Sequence, residues 1–230
     1  MATAIVTGAS SGIGEAIARM LLDEGYKVIG ISRSRGEIRH DAFFHLSCDL
    51  SDTGAIEAIQ KELQTCGDLK LHVNAAGFGR FEPHEELSAQ TITQMIALNL
   101  TAPILLTNLL LRSLKHAKGI IINITSIEAT RSSKFSALYT ATKSGLRAFG
   151  HSLFEEVRSS GVGVVTINPD MTDTPFFDDL RFGVGEGEDT KLFAEDIAET
   201  VRNILRLREG LSVTELPIRP RKFGITKKPR

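Results

Sequence analysis

Cysteine is scarce in this 230-residue sequence: Cys48 and Cys66 are the two there are, and they lie too far apart for a Cys-x-x-Cys motif. Reduced thiols are expected, and the six histidines show no metal-ligand spacing, so no metal is expected either. Excess charge of one sign is also missing. A formal net charge of -1 gives no electrostatic reason to bind nucleic acid or an anionic membrane, which leaves a small molecule or another protein as partner. No run approaches the roughly 20 apolar residues that span a bilayer. The chain enters the apolar run "ATAIV" without a basic leader or a cleavage-type segment, and the expectation is a cytoplasmic protein with no membrane association. Internal repeats and low-complexity tracts are absent as well.

What is present is a regular alternation. Short β-branched runs, "TAIV" (3–6), "KVIGI" (27–31), "FFHL" (43–46), "LKLHV" (69–73), "GIIINI" (119–124), "VGVVTI" (162–167) and "LSVTEL" (211–216), are separated by segments with helical periodicity. Most runs are apolar on both sides, as strands covered by helices on both faces must be. Ile13, Ile17, Met20 and Leu21 form one helical stripe, and Ile197, Val201, Ile204 and Leu205 another. Gly25, Gly67, Gly161 and Gly210 stand where helix ends want a left-handed residue. Seven strands in strict alternation predict one α/β domain, residues 1–216, built on a doubly wound parallel sheet. After Leu216 the composition shifts to "PIRPRKFGITKKPR", six basic residues and no acid, read as a basic tail, 217–230, that is solvated or straps a neighbouring subunit, with docking of an acidic partner as the functional alternative.

The first strand runs into Gly8-x-x-x-Gly12-Ile13-Gly14, and a helix follows. Such a loop is either a structural cap or a phosphate cradle, in which backbone N–H groups and the helix dipole face an anion and Ser10 and Ser11 add hydroxyls. No Lys follows Gly14, which argues against a P-loop. The end of the second strand is an independent test, because a dinucleotide fold places its adenosine ribose there. It reads Ser32-Arg33 with no carboxylate. A guanidinium at that point suits the 2′-phosphate of NADP(H), where NAD(H) would want an acid.

"SALYTATKSG" puts Tyr139 and Lys143 four residues apart, on one face of a helix. Leu146, Gly150, Leu153 and Val157 continue that face, so it is the inward one. A cation beside a phenol favours phenolate, and the tyrosine pKa is expected to fall from about 10 toward neutrality, as proton transfer to a carbonyl requires. Ser126 closes the fifth strand at the sheet edge where α/β folds hold ligands. Asn99 lies four residues before Pro103, which has no N–H for the Asn99 carbonyl. That pairing is either a mere kink or a backbone acceptor set free for water.

Together these residues resemble the short-chain dehydrogenase/reductase family, over nearly the whole chain. Thr7-Gly8-x-x-x-Gly12-Ile13-Gly14 is similar to its cofactor loop, Asp49-Leu50 to its adenine contact and Asn74-Ala75-Ala76-Gly77 to its fourth-strand motif. Asn99, Ser126, Tyr139 and Lys143 resemble its catalytic tetrad. The resemblance implies a Rossmann-type sheet of order 3-2-1-4-5-6-7 and hydride transfer at the nicotinamide C4. Tyr139 would protonate the alkoxide, Ser126 orient the carbonyl, Lys143 lower the tyrosine pKa and hold the ribose, and the Asn99 carbonyl anchor a water. Pro169, Thr172 and Thr174 would meet the carboxamide. One position departs from the pattern: Asp170 stands where the family has glycine.

Phe78, Phe135, Met171 and Phe176 are the candidate lining of an apolar substrate pocket, with Phe81, Phe177, Leu180 and Phe182 nearby, and Arg80 or Arg131 could meet a substrate carboxylate. The ending "TELPIRP" is similar to the branch holding 3-hydroxy-acid dehydrogenases and broad carbonyl reductases. The alternatives are a 3-oxoacyl-carrier-protein reductase and, in another class, a non-catalytic NADP(H)-sensing regulator. By resemblance the chain is expected to form a homodimer or homotetramer through the long helices after the fourth and fifth strands.

Overall fold

Strands alternate their side chains between two faces, so β-branched runs that are apolar throughout bury both faces once helices cover them. The computed structural model, which describes residues 1–64 and 67–228, follows that logic; Cys66 lies outside the described residues. The chain runs β1 (Thr3–Thr7), α1 (Gly12–Asp23), β2 (Lys27–Ser32), β3 (Phe43–Ser47), α2 (Thr53–Ala58), α3 (Gln60–Gln64) and β4 (Leu69–Asn74). It continues through α4 (Ala89–Ile96), α5 (Ala102–Ala117), β5 (Ile120–Ile124), α6 (Ala137–Val157) and β6 (Gly163–Pro169). The last part holds three short strands, β7 (Thr172–Asp173), β8 (Phe182–Val184) and β9 (Leu192–Phe193), then α7 (Ala194–Leu205), β10 (Glu215–Ile218) and β11 (Ile225–Lys227).

Seven strands form one parallel sheet in the order β10-β6-β5-β4-β1-β2-β3, the expected order with β10 in seventh place. Ala4 and Val6 point to the face covered by α1 and α7, and Ile5 between them points to the face covered by α2, α3, α5 and α6. β1 pairs with both β2 and β4, so the chain reverses its winding there and opens a crevice at the carboxyl ends of β1 and β4. Gly25, Gly67, Gly161 and Gly210 all have positive φ.

α4 and α5 are joined by a π-helical turn, Ala97–Thr101, in which the Ala102 N–H donates to the Ala97 carbonyl. Pro103 has no N–H to continue the α pattern, and the wider turn accommodates that loss. The continuous helix Ala89–Ala117 has an 18-residue window of mean hydropathy 1.5, long and apolar enough by length and composition to cross a membrane. That differs from the expectation. Here the helix lies along the sheet and buries Leu106, Leu110 and Leu114 against it.

The last sheet strand is displaced from its expected place. Residues 211–214 are irregular, and pairing with β6 runs from Glu215 opposite Thr166 to Ile218 opposite Pro169. Pro217 sits inside it, which an edge strand tolerates because one side of its backbone needs no partner. The residues read as a basic tail therefore begin in the sheet, and they end with β11 paired antiparallel to β8.

Gly30 is closely packed on the face covered by α1 and α7. A Cβ there would lie 2.6 Å from the Phe43 ring and 2.9 Å from the Ala9 Cβ. Gly30→Ala should lower stability by about 1–3 kcal/mol in urea denaturation, and less when Phe43→Leu is also present. Equal losses in both backgrounds would show that the ring is not what the new methyl meets.

Candidate active site

The crevice is built first from main chain. The Thr7 hydroxyl accepts from the N–H groups of Ala75 (3.0 Å) and Ala76 (3.1 Å), tying the end of β1 to the end of β4. Gly8 and Gly12 have φ of 69° and 57°. A Cβ on Gly14 would lie 2.3 Å from the Gly8 carbonyl oxygen, so only glycine lets α1 start this close to the loop. Ser11 holds the N-cap position of α1 but makes no side-chain cap bond. With Ser11, Gly12, Ile13 and Gly14 all lining the cleft, the uncapped start of α1 offers there the donor set an anion needs.

At the end of β2, Arg33 is exposed and lines the same cleft. The Ser32 hydroxyl turns back to the Ser34 carbonyl at 2.7 Å. Asp49 accepts from the N–H and hydroxyl of Ser51, which with the nearby Arg33 charge keep its carboxyl below the usual range. Leu50 is buried behind it and also lines the cleft.

On α6 the inward stripe is as expected: Tyr139, Lys143, Leu146, Gly150, Leu153 and Val157 are all buried. The Lys143 ammonium donates to the Ile124 carbonyl at 3.0 Å and lies 5.9 Å from the Tyr139 ring centroid. Burial lowers its pKa to about 8. The expected fall of the Tyr139 pKa does not occur. Burial pushes it up, outweighing the hydrogen bond from Ser126, and the Glu128 charge adds to the rise. The spacing showed that Lys143 shares a face with the phenol; desolvation of a ring closed off from water outweighs that neighbour.

Asn99 is fully buried in the π turn and acts through its side chain as well. Its Oδ1 accepts from the Phe78 N–H (3.0 Å), and its Nδ2 donates to the Phe78 carbonyl (2.8 Å) and the Thr142 hydroxyl (3.3 Å). Gly77 fits between: a Cβ there would come within 3.1 Å of Asn99 Oδ1 and 3.3 Å of Lys143 Nζ.

A single cleft of about 1450 Å3 brings together nearly every expected site residue: Gly8, Ser10, Ser11, Gly12, Ile13 and Gly14 from the loop, Ala75 and Gly77 beside it, and Ser126, Tyr139 and Lys143 opposite. Pro169, Thr172 and Thr174 line it too, as do Phe78, Phe135, Met171 and Phe176. Asn99 is not among the lining residues, and neither is Asn74. Asn74 is buried beneath the crevice, donating to Asn123 Oδ1 (2.9 Å) and the Thr107 hydroxyl (3.4 Å). Phe135 is bulky, half exposed and held at φ 66°, a strained conformation at the cleft mouth.

Two candidate cations are already engaged. Arg131 Nε donates to Glu128 Oε1 at 2.7 Å, and Arg80 reaches the Asp179 carbonyl, outside the cleft lining. Glu128 had no sequence signal; it is buried and also accepts from the hydroxyls of Ser133 and Ser136. Phe223 and Ile225, in the basic tail, also line the cleft. Nothing in the tail's composition singles them out, because the fold, not the pattern, returns them to the site.

A family model described as short chain dehydrogenase matches residues 2–183. An uncharacterized oxidoreductase of Staphylococcus epidermidis is 32% identical over 225 residues, covering 94% of this chain and 96% of that protein. Among solved structures, an alcohol dehydrogenase from the archaeon Thermococcus sibiricus complexed with 5-hydroxy-NADP is 30% identical with a TM-score of 0.84, covering 96% of this chain and 97% of that one. A serine dehydrogenase from Escherichia coli is 26% identical with a TM-score of 0.80, covering 96% and 98%.

The lowered Lys143 pKa has a measurable consequence. Between about 8 and its ordinary value of 10.5 the unfolded chain holds a proton that the folded chain has released, so stability gains from this group as pH rises through that window; below about 8 the penalty of the buried charge is present in full. The stability difference between the wild type and Lys143→Met, from urea denaturation without ligand, should therefore shift in favour of the wild type from pH 8 to 10.5. Parallel curves would contradict the assignment.

Proposed function

The chain belongs to the short-chain dehydrogenase family, and from that premise we propose that it is an NADP(H)-dependent oxidoreductase that moves a hydride between the nicotinamide C4 and a small or medium carbonyl compound or secondary alcohol. The observation that carries the reading is the convergence of Ser126, Tyr139 and Lys143 on one cleft with a glycine loop that only unsubstituted backbone can form. The loop N–H groups and the Ser11 hydroxyl would hold the pyrophosphate, and Gly77, Pro169, Thr172 and Thr174 would hold the nicotinamide end.

In this reading the Ser126 hydroxyl, which accepts from the Glu128 N–H at 3.2 Å, keeps its own proton to donate to the substrate carbonyl oxygen. Tyr139 then gives its proton to that oxygen as negative charge develops there. Its raised pKa keeps the phenol protonated at neutral pH, the form a general acid needs for reduction. Lys143 stands beside it with an ammonium that steadies the phenolate left behind. The Asn99 carbonyl, for which Pro103 has no N–H, would hold a water that returns the proton.

Arg33 at the end of β2 supports NADP(H) over NAD(H), since its exposed guanidinium can pair with a phosphate by charge-assisted hydrogen bonds. With Arg131 held by Glu128, a broad carbonyl reductase fits the cleft better than an enzyme that must grip a carboxylate. A homodimer or homotetramer fits the apolar helix Ala89–Ala117, of whose most apolar window 39% is buried within the chain, leaving residues such as Ile96 for a second copy.

Tyr139→Phe should abolish NADPH oxidation across a panel of aldehydes, ketones and diketones while NADPH still binds with unchanged affinity by fluorescence titration. NADPH binding by the wild type with no turnover of any carbonyl would overturn the enzymatic reading. Arg33→Ala should weaken NADPH binding by about 10- to 100-fold, one or two charge-assisted bonds lost, and leave NADH binding nearly untouched. Equal losses for both cofactors would remove the basis for NADP(H) preference.

A further inference from the structure

Asp170 follows β6, and its side chain is only 3% exposed. A carboxylate taken this far out of water needs donors and cations around it. The Met171 N–H donates to its Oδ1 at 3.0 Å, the Arg219 Nε–H donates to its Oδ2 at 2.9 Å, and Arg131 Nη2 lies 3.8 Å from Oδ1. Arg131 in turn holds Glu128, whose N–H donates to the Ser126 hydroxyl. One buried carboxylate thus connects the Ser126 turn with the first residue beyond β10.

From Arg219 the chain does not leave the surface but crosses the cleft. The Lys222 N–H donates to the Asp189 carbonyl at 2.9 Å, and its ammonium pairs with the Asp189 carboxylate at 2.7 Å. Gly224 packs so closely on Thr190 that a Cβ would lie 2.7 Å from the Thr190 Cβ. β11 then pairs with β8, and the Lys228 ammonium donates to the Phe177 carbonyl at 2.6 Å. This path sets Phe223 and Ile225, 63% and 46% exposed, at the rim of the cleft with Phe177 and Phe182. Phe182 meets Phe81 at 5.2 Å between centroids, and Phe81 meets Tyr139 at 5.1 Å. The strap therefore stands two ring contacts away from the phenol.

We propose that Asp170 is a positioning residue that fastens residues 219–228 across the cleft, making this strap the outer wall that selects carbonyl substrates with an apolar, ring-sized body reaching past Phe182. The proposal rests on the reductase reading above. A two- or three-carbon carbonyl held at Tyr139 stays inside the Phe81 and Phe182 contacts, whereas a ketone that carries a ring several carbons from its carbonyl would reach the strap.

The test uses the full-length protein, Arg219→Gln, Asp170→Asn and a chain ending at Pro220, which keeps β10. Hydrogen exchange at the amides of residues 225–227 should quicken by about tenfold or more in both point variants. KM for a ketone that carries a phenyl ring about four carbons from its carbonyl should rise by about fivefold or more in all three, while in Arg219→Gln and the truncated chain kcat and KM for acetaldehyde change by less than about twofold and NADPH affinity is unchanged. Unaltered exchange in both point variants would overturn the role of Asp170. Faster exchange or truncation with the same preference between the two carbonyls would overturn the wall. A wild type that turns over neither compound nor any other carbonyl fails in a different place, the reductase reading itself, and takes the proposal with it. Should Asp170→Asn not fold, Arg219→Gln decides the latch alone, since its side chain is more than half exposed.

Discussion

A buried ammonium is the most demanding group in this molecule, and much of the cleft is arranged around it. Lys143 is fully inside the fold with the Ile124 carbonyl as its backbone acceptor at 3.0 Å. Its neighbours must leave room and supply polar atoms, since an unsolvated cation without them would be lost to deprotonation. Gly77 leaves the room, having no Cβ to press on Nζ. Asn99 supplies the polar surroundings, and it can do so because the π turn aims its side chain across at Phe78 and Thr142. Pro103, which cannot donate along an α pattern, is compatible with that wider turn. A residue four positions beyond Asn99, on a different helix from Lys143, is thereby tied to the environment of the buried cation.

How much of this was legible in sequence depends on the range of the forces involved. Strand and helix order came from periodicities of two and 3.6 residues, which are local, and they survived into the structure at six of the seven sheet strands with small changes of boundary. The inward face of α6 was read the same way. The seventh strand was misplaced because its end was set at the shift in composition after Leu216, whereas at a sheet edge Pro217 is tolerated and pairing runs on to Ile218. The Tyr139 pKa went the wrong way for a related reason: spacing places Lys143 on the same face, but the sign of the shift depends on how completely rings such as Phe81 and Phe176 exclude water, which no spacing records.

Asp170 shows the limit most plainly. In sequence it is a lone departure from a glycine pattern, with no local reason to be acidic. Its partner Arg219 is 49 residues away, in a segment whose composition gave no sign of a contact within this chain. Only when β10 enters the sheet beside β6 do the two ends meet, with the Asp170 N–H donating to the Ile218 carbonyl. Three of the tail's six basic residues are engaged in this way: Arg219, Lys222 and Lys228 each find an oxygen on this chain.

The two halves of the cleft are thus specified in different ways. The half that faces the glycine loop is made of backbone: N–H groups, left-handed glycines and one threonine hydroxyl that joins β1 to β4. Backbone geometry demands particular residue types at fixed spacing, so that half announces itself in the sequence. The half that faces outward is made of side chains from loops and from a strap that returns across the rim, and almost any apolar residue satisfies the local requirements there. Its specificity comes from which distant segments are brought together and how they are fastened. For that reason the chemistry of such a chain can be read from short motifs, whereas the shape of what it accepts has to be read from contacts such as Asp170 with Arg219 and β11 with β8.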